Sequence, residues 1–133
     1  MALLAATSLS ASAWAGQAGT LDPSFGNGTD GGNDNATDVV LDSEGHIIVA
    51  GYHQQDGKSR VSVLRFDDTG KLDESFGAAD QQTPKGTVSM AIGEGNALAN
   101  GMTAQGDRLI LVGSGSTSGN GNSNIALMRL LAK

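Results

Sequence analysis

The hexapeptide LDPSFG at residues 21–26 recurs as LDESFG at residues 72–77, 51 positions further along the chain. Its aspartate favours a tight turn because the carboxylate accepts hydrogen bonds from backbone N–H groups two residues on, and Pro23 presets φ for such a turn. The leucine and the phenylalanine then project to one side as apolar anchors. The residues that we expect to form this repeated structural element are Leu21, Asp22, Phe25 and Gly26 in the first copy and Leu72, Asp73, Phe76 and Gly77 in the second. The hexapeptide therefore predicts an element that packs one repeat against the next.

Two further landmarks follow the first hexapeptide and recur in the same order after the second. EGHIIVAG at residues 44–51 corresponds to GDRLILVG at residues 106–113, and VLRF at residues 63–66 corresponds to LMRL at residues 127–130. The structural positions that these landmarks repeat are Gly51 and Gly113, and Arg65 and Arg129. Three landmarks in one order indicate an internal duplication. The sequence predicts a first repeat over residues 16–71 and a second over residues 72–133, with an insertion at 78–96.

Each repeat consists of short apolar segments separated by turn residues. The segments predicted as strands are residues 38–41, 46–52 and 60–66 in the first repeat and residues 98–104, 108–113 and 125–130 in the second. Asp56-Gly57 is typical of a tight hairpin turn, whereas the reversed order Gly106-Asp107 weakens the same prediction in the second repeat. The segment 78–96 reads as irregular chain. No segment has a convincing amphipathic helical period, so the pattern predicts an all-β fold.

These landmarks resemble the delta-60 repeats, a family of bacterial tandem repeats whose units contain LDxSFG, then DGKILVAG, then ALARYxxDG. The similarity extends over about residues 20–130, nearly the whole chain after its N-terminal segment. The resemblance implies β-propeller-like blades in exported or surface proteins, arranged in long arrays and without assigned catalysis. We therefore expect two propeller-like blade repeats of short antiparallel strands, which belong to a larger propeller or array.

Two repeats alone leave two blade faces uncovered. Propellers typically have four to eight blades, and units that bury a face on their neighbours generally need at least three copies for stability. Three arrangements remain open: a fragment of a longer array, an assembly of several chains, or a small sandwich of two units. Neighbouring repeats or further copies of the chain are accordingly among the expected partners.

The composition excludes several classes of function. Eight Lys and Arg residues stand against 14 Asp and Glu residues, which gives a formal net charge of −6. A chain of this charge has no basic patch for nucleic acid or for anionic lipid. The chain has no cysteine, so disulfides, thiol catalysis and cysteine-ligated metal sites are excluded. The 20 glycines fit a protein rich in turns.

The N-terminal segment, residues 1–15, is typical of a signal peptide. It is small or apolar throughout, carries no charge and ends in Ala13-Trp14-Ala15, the small-x-small pattern that signal peptidase requires. Because Met1 meets the apolar run without a preceding Lys or Arg, we expect that the true start lies upstream. The sequence thus predicts export to the periplasm, the cell surface or the medium, with no membrane insertion after processing.

One segment, residues 26–38, is rich in oxygen ligands. Asp30, Asp34 and Asp38 are spaced by four residues, with amides between them, and hard cations such as Ca²⁺ take six to eight oxygen ligands. The spacing matches neither the EF-hand nor the calcium-binding β-roll. The three aspartates are therefore weak candidates for a calcium site. The same segment contains GNGTDG, which fits G-x-G-x-x-G but lacks the flanking strand and helix of a dinucleotide site.

No residue pattern indicates catalysis. His46 and His53 are the only histidines, and their odd separation places them on opposite faces of a regular strand. No nucleophile, acid–base pair or metal set is marked, so we expect neither an enzyme nor a cofactor. For Arg65 and Arg129 we favour a structural pairing with Asp22 or Asp73 over a ring of arginines that faces a ligand.

The sequence therefore favours an exported bacterial repeat protein that serves as a structural or interaction module. Its partner would be an unidentified protein or glycan. The alternative is a small ligand- or calcium-binding β domain that uses the loop 26–38.

Overall fold

The computed structural model describes residues 34–77, 85–117 and 122–132. These residues form seven β-strands: β1 (Asp34–Leu41), β2 (Ile47–Gln55), β3 (Lys58–Phe66), β4 (Thr87–Met90), β5 (Ala97–Gln105), β6 (Arg108–Gly115) and β7 (Asn124–Leu131). All neighbouring strands are antiparallel, in a first sheet of order β1-β2-β3-β4 and a second sheet of order β5-β6-β7. The predicted all-β fold is confirmed. None of the described residues belongs to a helix long and apolar enough to cross a bilayer.

The two sheets are offset from the two sequence repeats. The first sheet takes β1, β2 and β3 from residues 34–66, but its fourth strand, β4, lies beyond the second hexapeptide. This strand falls inside the segment 78–96, which the sequence pattern predicted to be irregular. It consists of four residues, Thr87–Met90, that pair with β3 from Leu64 to Val61. In the second sheet, the outer edge of β7 has no such strand among the described residues.

Both central hairpins close with two-residue turns of different type. At the β2–β3 turn, Asp56 and Gly57 have φ values of 51° and 73°. Positive φ at both positions is the pattern of a type I′ turn. At the β5–β6 turn only Gly106 has positive φ, at 60°, which is the pattern of a type II′ turn with glycine first. The order Gly106-Asp107 therefore does not weaken the hairpin; it selects the other favoured turn.

The repeated glycines mark places where two backbones approach closely. A Cβ added to Gly51 would lie 1.9 Å from the carbonyl oxygen of Asn35, and one added to Gly113 would lie 1.9 Å from that of Leu98. Each site faces a β-bulge in the first strand of its sheet, between Ala36 and Asp38 in β1 and between Ala99 and Gly101 in β5. The glycines are thus required by the same strand geometry in both sheets.

The hydrophobic core lies between the two sheets. We call the side of the first sheet that carries Ile48 and Ala50 its front face, and the side of the second sheet that carries the equivalent Ile110 and Val112 its front face. The opposite side of each sheet is its back face. The front face carries Ile48, Ala50, Val61, Val63 and Arg65 in the first sheet, and Ile110, Val112, Ile125, Leu127 and Arg129 in the second. The back face of the second sheet carries Met102, Ala104, Leu109, Leu111, Met128 and Leu130. The front face of the first sheet packs against the back face of the second, and together these faces make the core.

Candidate functional site

Arg65 is a highly connected polar side chain of the inter-sheet joint. It is only 7% exposed, although it is the penultimate residue of β3 at the edge of the core. Its Nε donates to Asp73 Oδ2 over 2.8 Å, its Nη2 lies 2.7 Å from the same oxygen, and Nη2 also donates to Ser75 Oγ over 3.1 Å. Its Nη1 donates to the carbonyl oxygen of Ala132, which follows β7 in the second sheet. Arg65 therefore ties the hexapeptide turn and both sheets together, and the predicted pairing with Asp73 is present.

The hexapeptide at residues 72–77 forms the turn that its sequence predicts. Asp73 Oδ1 accepts hydrogen bonds from the backbone N–H and the hydroxyl of Ser75, over 2.9 and 2.6 Å. Phe76 is 4% exposed, and its ring lies 5.0 Å below the guanidinium carbon of Arg65. Gly77 has φ of 76°, where a Cβ would meet the carbonyl of Thr87 at 2.5 Å. The turn is rigid because its side chains satisfy its own backbone and anchor in the core.

The electrostatics of this turn favour an ionised Asp73. The hydrogen bond from the Ser75 hydroxyl, together with the backbone N–H of Ser75 and the Arg65 guanidinium, holds the pKa of Asp73 below its ordinary value of 3.8, although partial burial opposes the shift. Leu72 completes the element with a single β-bridge to Phe66. The turn is therefore held to β3 by charge, hydrogen bonds and apolar contact at once.

Arg129 occupies the equivalent position in the second sheet but has different surroundings. Arg65 is paired across the sheet with Ile48, and Arg129 is paired with Ile110 in the same register. The side chain of Arg129 is exposed, and within the part of the chain that the structure describes it makes no hydrogen bond or ion pair. The residues of the first hexapeptide, Leu21, Asp22, Phe25 and Gly26, lie outside the described residues, and so does the alternative pairing with Asp22.

The aspartates that were considered for calcium do not converge. Asp30 lies outside the described residues. The bulge in β1 places Asp34 opposite His53 and Asp38 opposite Ala50, so these two carboxylates point to opposite sides of the first sheet. Asp38 uses both oxygens: Oδ2 accepts from the backbone N–H of Met102 over 2.6 Å, and Oδ1 accepts from that of Val39 over 2.8 Å. Among the described residues, no group of three or more His, Asp or Glu is arranged to hold a metal ion.

The two histidines have separate partners. His46 Nδ1 lies 2.8 Å from Asp42 Oδ2, beside an open cavity of about 530 Å³ between the end of the β1–β2 turn and the segment 67–75 that follows β3. Burial raises the pKa of Asp42, but the hydrogen bonds from the side chain of His46 and from backbone N–H groups outweigh it, so the pKa is lowered overall. His53 Nε2 lies 3.4 Å from Ser89 Oγ on the back face of the first sheet. Neither histidine is oriented by a carboxylate towards a candidate nucleophile.

The front face of the second sheet exposes several apolar side chains outside the core. Ile125 is 94% exposed and Leu127 is 73% exposed, although both lie within β7 and are paired with β6. Val112 and Leu131 are also exposed beside them. The back face of the first sheet exposes Val39 and Leu41 in the same way. The sequence analysis did not predict that these residues form a surface. They could have been found from the sequence, because their positions match apolar positions of the other repeat.

This architecture of tandem antiparallel sheets, stacked front face on back face, is that of a β-propeller-type repeat protein. A family model described as "Domain of unknown function (DUF5122) beta-propeller" matches residues 43–76. The matched range runs from the β1–β2 turn through β2 and β3 to Phe76 of the hexapeptide turn. The match supports a β-propeller repeat family. No curated protein and no solved structure matches the chain.

Proposed function

We propose that the chain is an exported bacterial repeat protein of the delta-60 type, which acts as a structural or interaction module without catalysis of its own. The three repeated landmarks support the delta-60 assignment, and the small-x-small pattern at Ala13-Trp14-Ala15 supports export. The module works by association through the front face of its second sheet.

One observation carries this proposal. Ile125 and Leu127 are exposed within a regular strand, with Val112 paired opposite Leu127 and Leu131 exposed on the same face. Contiguous exposed apolar patches of this kind mark interaction sites, because leaving several aliphatic side chains in water costs about 1.5–3 kcal/mol for each large one. The aliphatic character of the patch favours a protein surface as the partner.

The test is the mass of the purified full chain by sedimentation across a range of concentrations. We expect that the wild-type chain associates as its concentration rises and that Leu127→Glu stays monomeric, since a charge at this position would have to be buried. Ser43→Glu adds the same charge in an exposed turn and is the matched control. A wild-type chain that stays monomeric throughout, or a Leu127→Glu variant that associates like wild type, would contradict the proposal.

The alternative, a calcium- or ligand-binding domain that uses the loop 26–38, has less support. Asp34 and Asp38 point to opposite faces of the sheet, and Asp38 is committed to two backbone N–H groups.

A further inference from the structure

The described residues contain one complete joint between two sheets. In this joint the front face of the first sheet meets the back face of the second. Its fully buried side chains include Ile48, Val61 and Val63 from the first sheet and Leu109 and Leu111 from the second, all with no exposed surface. The joint shows that the front face of one repeat packs against the back face of the next.

The front face of the second sheet is a copy of the buried front face of the first. The strand registers pair Ala50 with Val63 in the first sheet and Val112 with Leu127 in the second. The equivalent positions are Ile48 and Ile110, Ala50 and Val112, Val61 and Ile125, Val63 and Leu127, and Arg65 and Arg129. Each position is apolar in both sheets, except the shared arginine. The same pattern is therefore buried in one sheet and exposed in the other.

The back face of the first sheet is the counterpart. Val39 and Leu41 lie opposite Val49 and Ile47 there, and both are more than half exposed. The corresponding positions of the second sheet are Met102 and Ala104, which lie opposite Leu111 and Leu109 and pack into the joint. The chain thus exposes both halves of the joint that it buries once.

We propose that a second copy of this chain docks with the back face of its first sheet on the front face of the second sheet, and so repeats the joint between chains. This inference rests on the proposed function, because it names the partner of the same surface. Such an interface is heterologous: each chain uses two different faces. It therefore closes into a ring or continues as an open array, rather than stopping at a symmetric dimer.

Arg129 supports the head-to-tail arrangement. In the internal joint, the hexapeptide at residues 72–77 follows β3, precedes β5 and supplies the Asp73, Ser75 and Phe76 partners of Arg65. The other hexapeptide, at residues 21–26, precedes β1 and carries Asp22, Ser24 and Phe25 at the matching positions. The order of hexapeptide and following strands along the sequence is therefore the same before β1 as before β5. A front-on-front dimer would bring two Arg129 side chains to one interface.

The experiment mixes two chains, each blocked on one face. Leu127→Glu blocks the front face of the second sheet, and Val39→Glu blocks the back face of the first sheet. Both side chains are exposed, so both variants should fold, and circular dichroism checks this. Ile125→Glu and Leu41→Glu serve as second variants of the same two faces, and Ser43→Glu is the control of equal charge.

The expected result is that each blocked variant sediments as a monomer alone, whereas their equimolar mixture forms a species of twice the chain mass. The mixture stops at two chains because only one complementary pair of faces remains. If Val39→Glu alone associates like wild type while Leu127→Glu does not, the front face binds something other than the back face, and this inference is overturned while the proposed function stands. A mixture that stays monomeric also overturns it. A wild-type chain that never associates overturns both.

Discussion

Arg65 and Arg129 hold equivalent positions in the two sheets but lie in opposite environments. Arg65 is buried, bonded to the hexapeptide turn and to the end of the second sheet, and stacked on Phe76. Arg129 is exposed on a front face that no described residue covers. The strand geometry beneath them is the same, since both stand opposite the isoleucine of a central strand. A blade therefore determines its own backbone, but the neighbouring blade determines what the side chains of its front face contribute to stability.

The largest expected effect tests the shared backbone. Gly51→Ala and Gly113→Ala should each lower the free energy of unfolding by about 3 kcal/mol, because each Cβ would fall 1.9 Å from a carbonyl oxygen and the bulge would have to move. Urea denaturation measures both. Gly57→Ala, with open space around it but positive φ, is the control and should cost only about 1 kcal/mol. If Gly113→Ala costs no more than this control, the second sheet does not share the geometry of the first.

The next effect separates the two arginines. Arg65→Met should lower the free energy of unfolding by about 2 kcal/mol. This loss is smaller than the loss on breaking a fully buried ion pair, because Asp73 keeps some exposure to water. Arg129→Met, measured in dilute solution where the chain is monomeric, should change it by less than about 0.5 kcal/mol. Equal costs for the two variants would mean that Arg129 has a partner in the single chain.

A smaller effect concerns pH. The pKa of Asp73 is lowered in the folded chain from 3.8, so its ionised form contributes stability that is complete well above that pH and is lost as the pH falls through the lowered value. The stability gap between wild type and Asp73→Asn should therefore be largest near pH 7 and should shrink below about pH 4. Asp56→Asn removes one carboxylate from a hairpin turn and controls for the loss of charge. A gap that is constant from pH 7 to pH 2 would exclude the Arg65–Asp73 pair as its source.

The smallest effect is expected from calcium. Added calcium should leave the thermal unfolding midpoint unchanged, because Asp34 and Asp38 diverge across the first sheet and Asp38 is already bonded to the backbone. A chelator titration provides the reference. A midpoint that rises with calcium and falls back with the chelator would revive the alternative function.

The strands predicted best were those whose signals are local. The apolar stretch before Asp56-Gly57 and the alternation around Val61 and Val63 predict a hairpin, and the structure contains β2 and β3 in register from Ile47–Phe66 to Gln55–Lys58. The recurrence of the arginine and of the hexapeptide aspartate predicted a pairing with Asp22 or Asp73, and the structure contains the pair of Arg65 with Asp73. These features need only neighbouring residues to specify them.

The features that escaped prediction depend on distant chain. The strand β4 has only four residues, and it forms because the edge of β3 offers a partner. The bulge at Thr37 is fixed by a hydrogen bond from its hydroxyl to the carbonyl of Ala99 in the other sheet, over 2.9 Å. This bulge reverses the side on which Asp38 lies relative to a regular strand, so sequence spacing alone could not exclude a shared ion. The exposed faces likewise could be recognised as docking surfaces only by comparison with the two faces that the joint buries.

The most direct test of complementary faces is hydrogen exchange of β3 and β7 at increasing concentrations of the full chain. The outward amides of β3 are paired with β4 and should be protected at every concentration. The outward amides of β7 should exchange quickly in dilute solution. They should become protected as chains associate, together with the amides of β1 in the docking chain. Protection of β7 that is independent of concentration, or association that leaves β1 and β7 unprotected, would contradict the account.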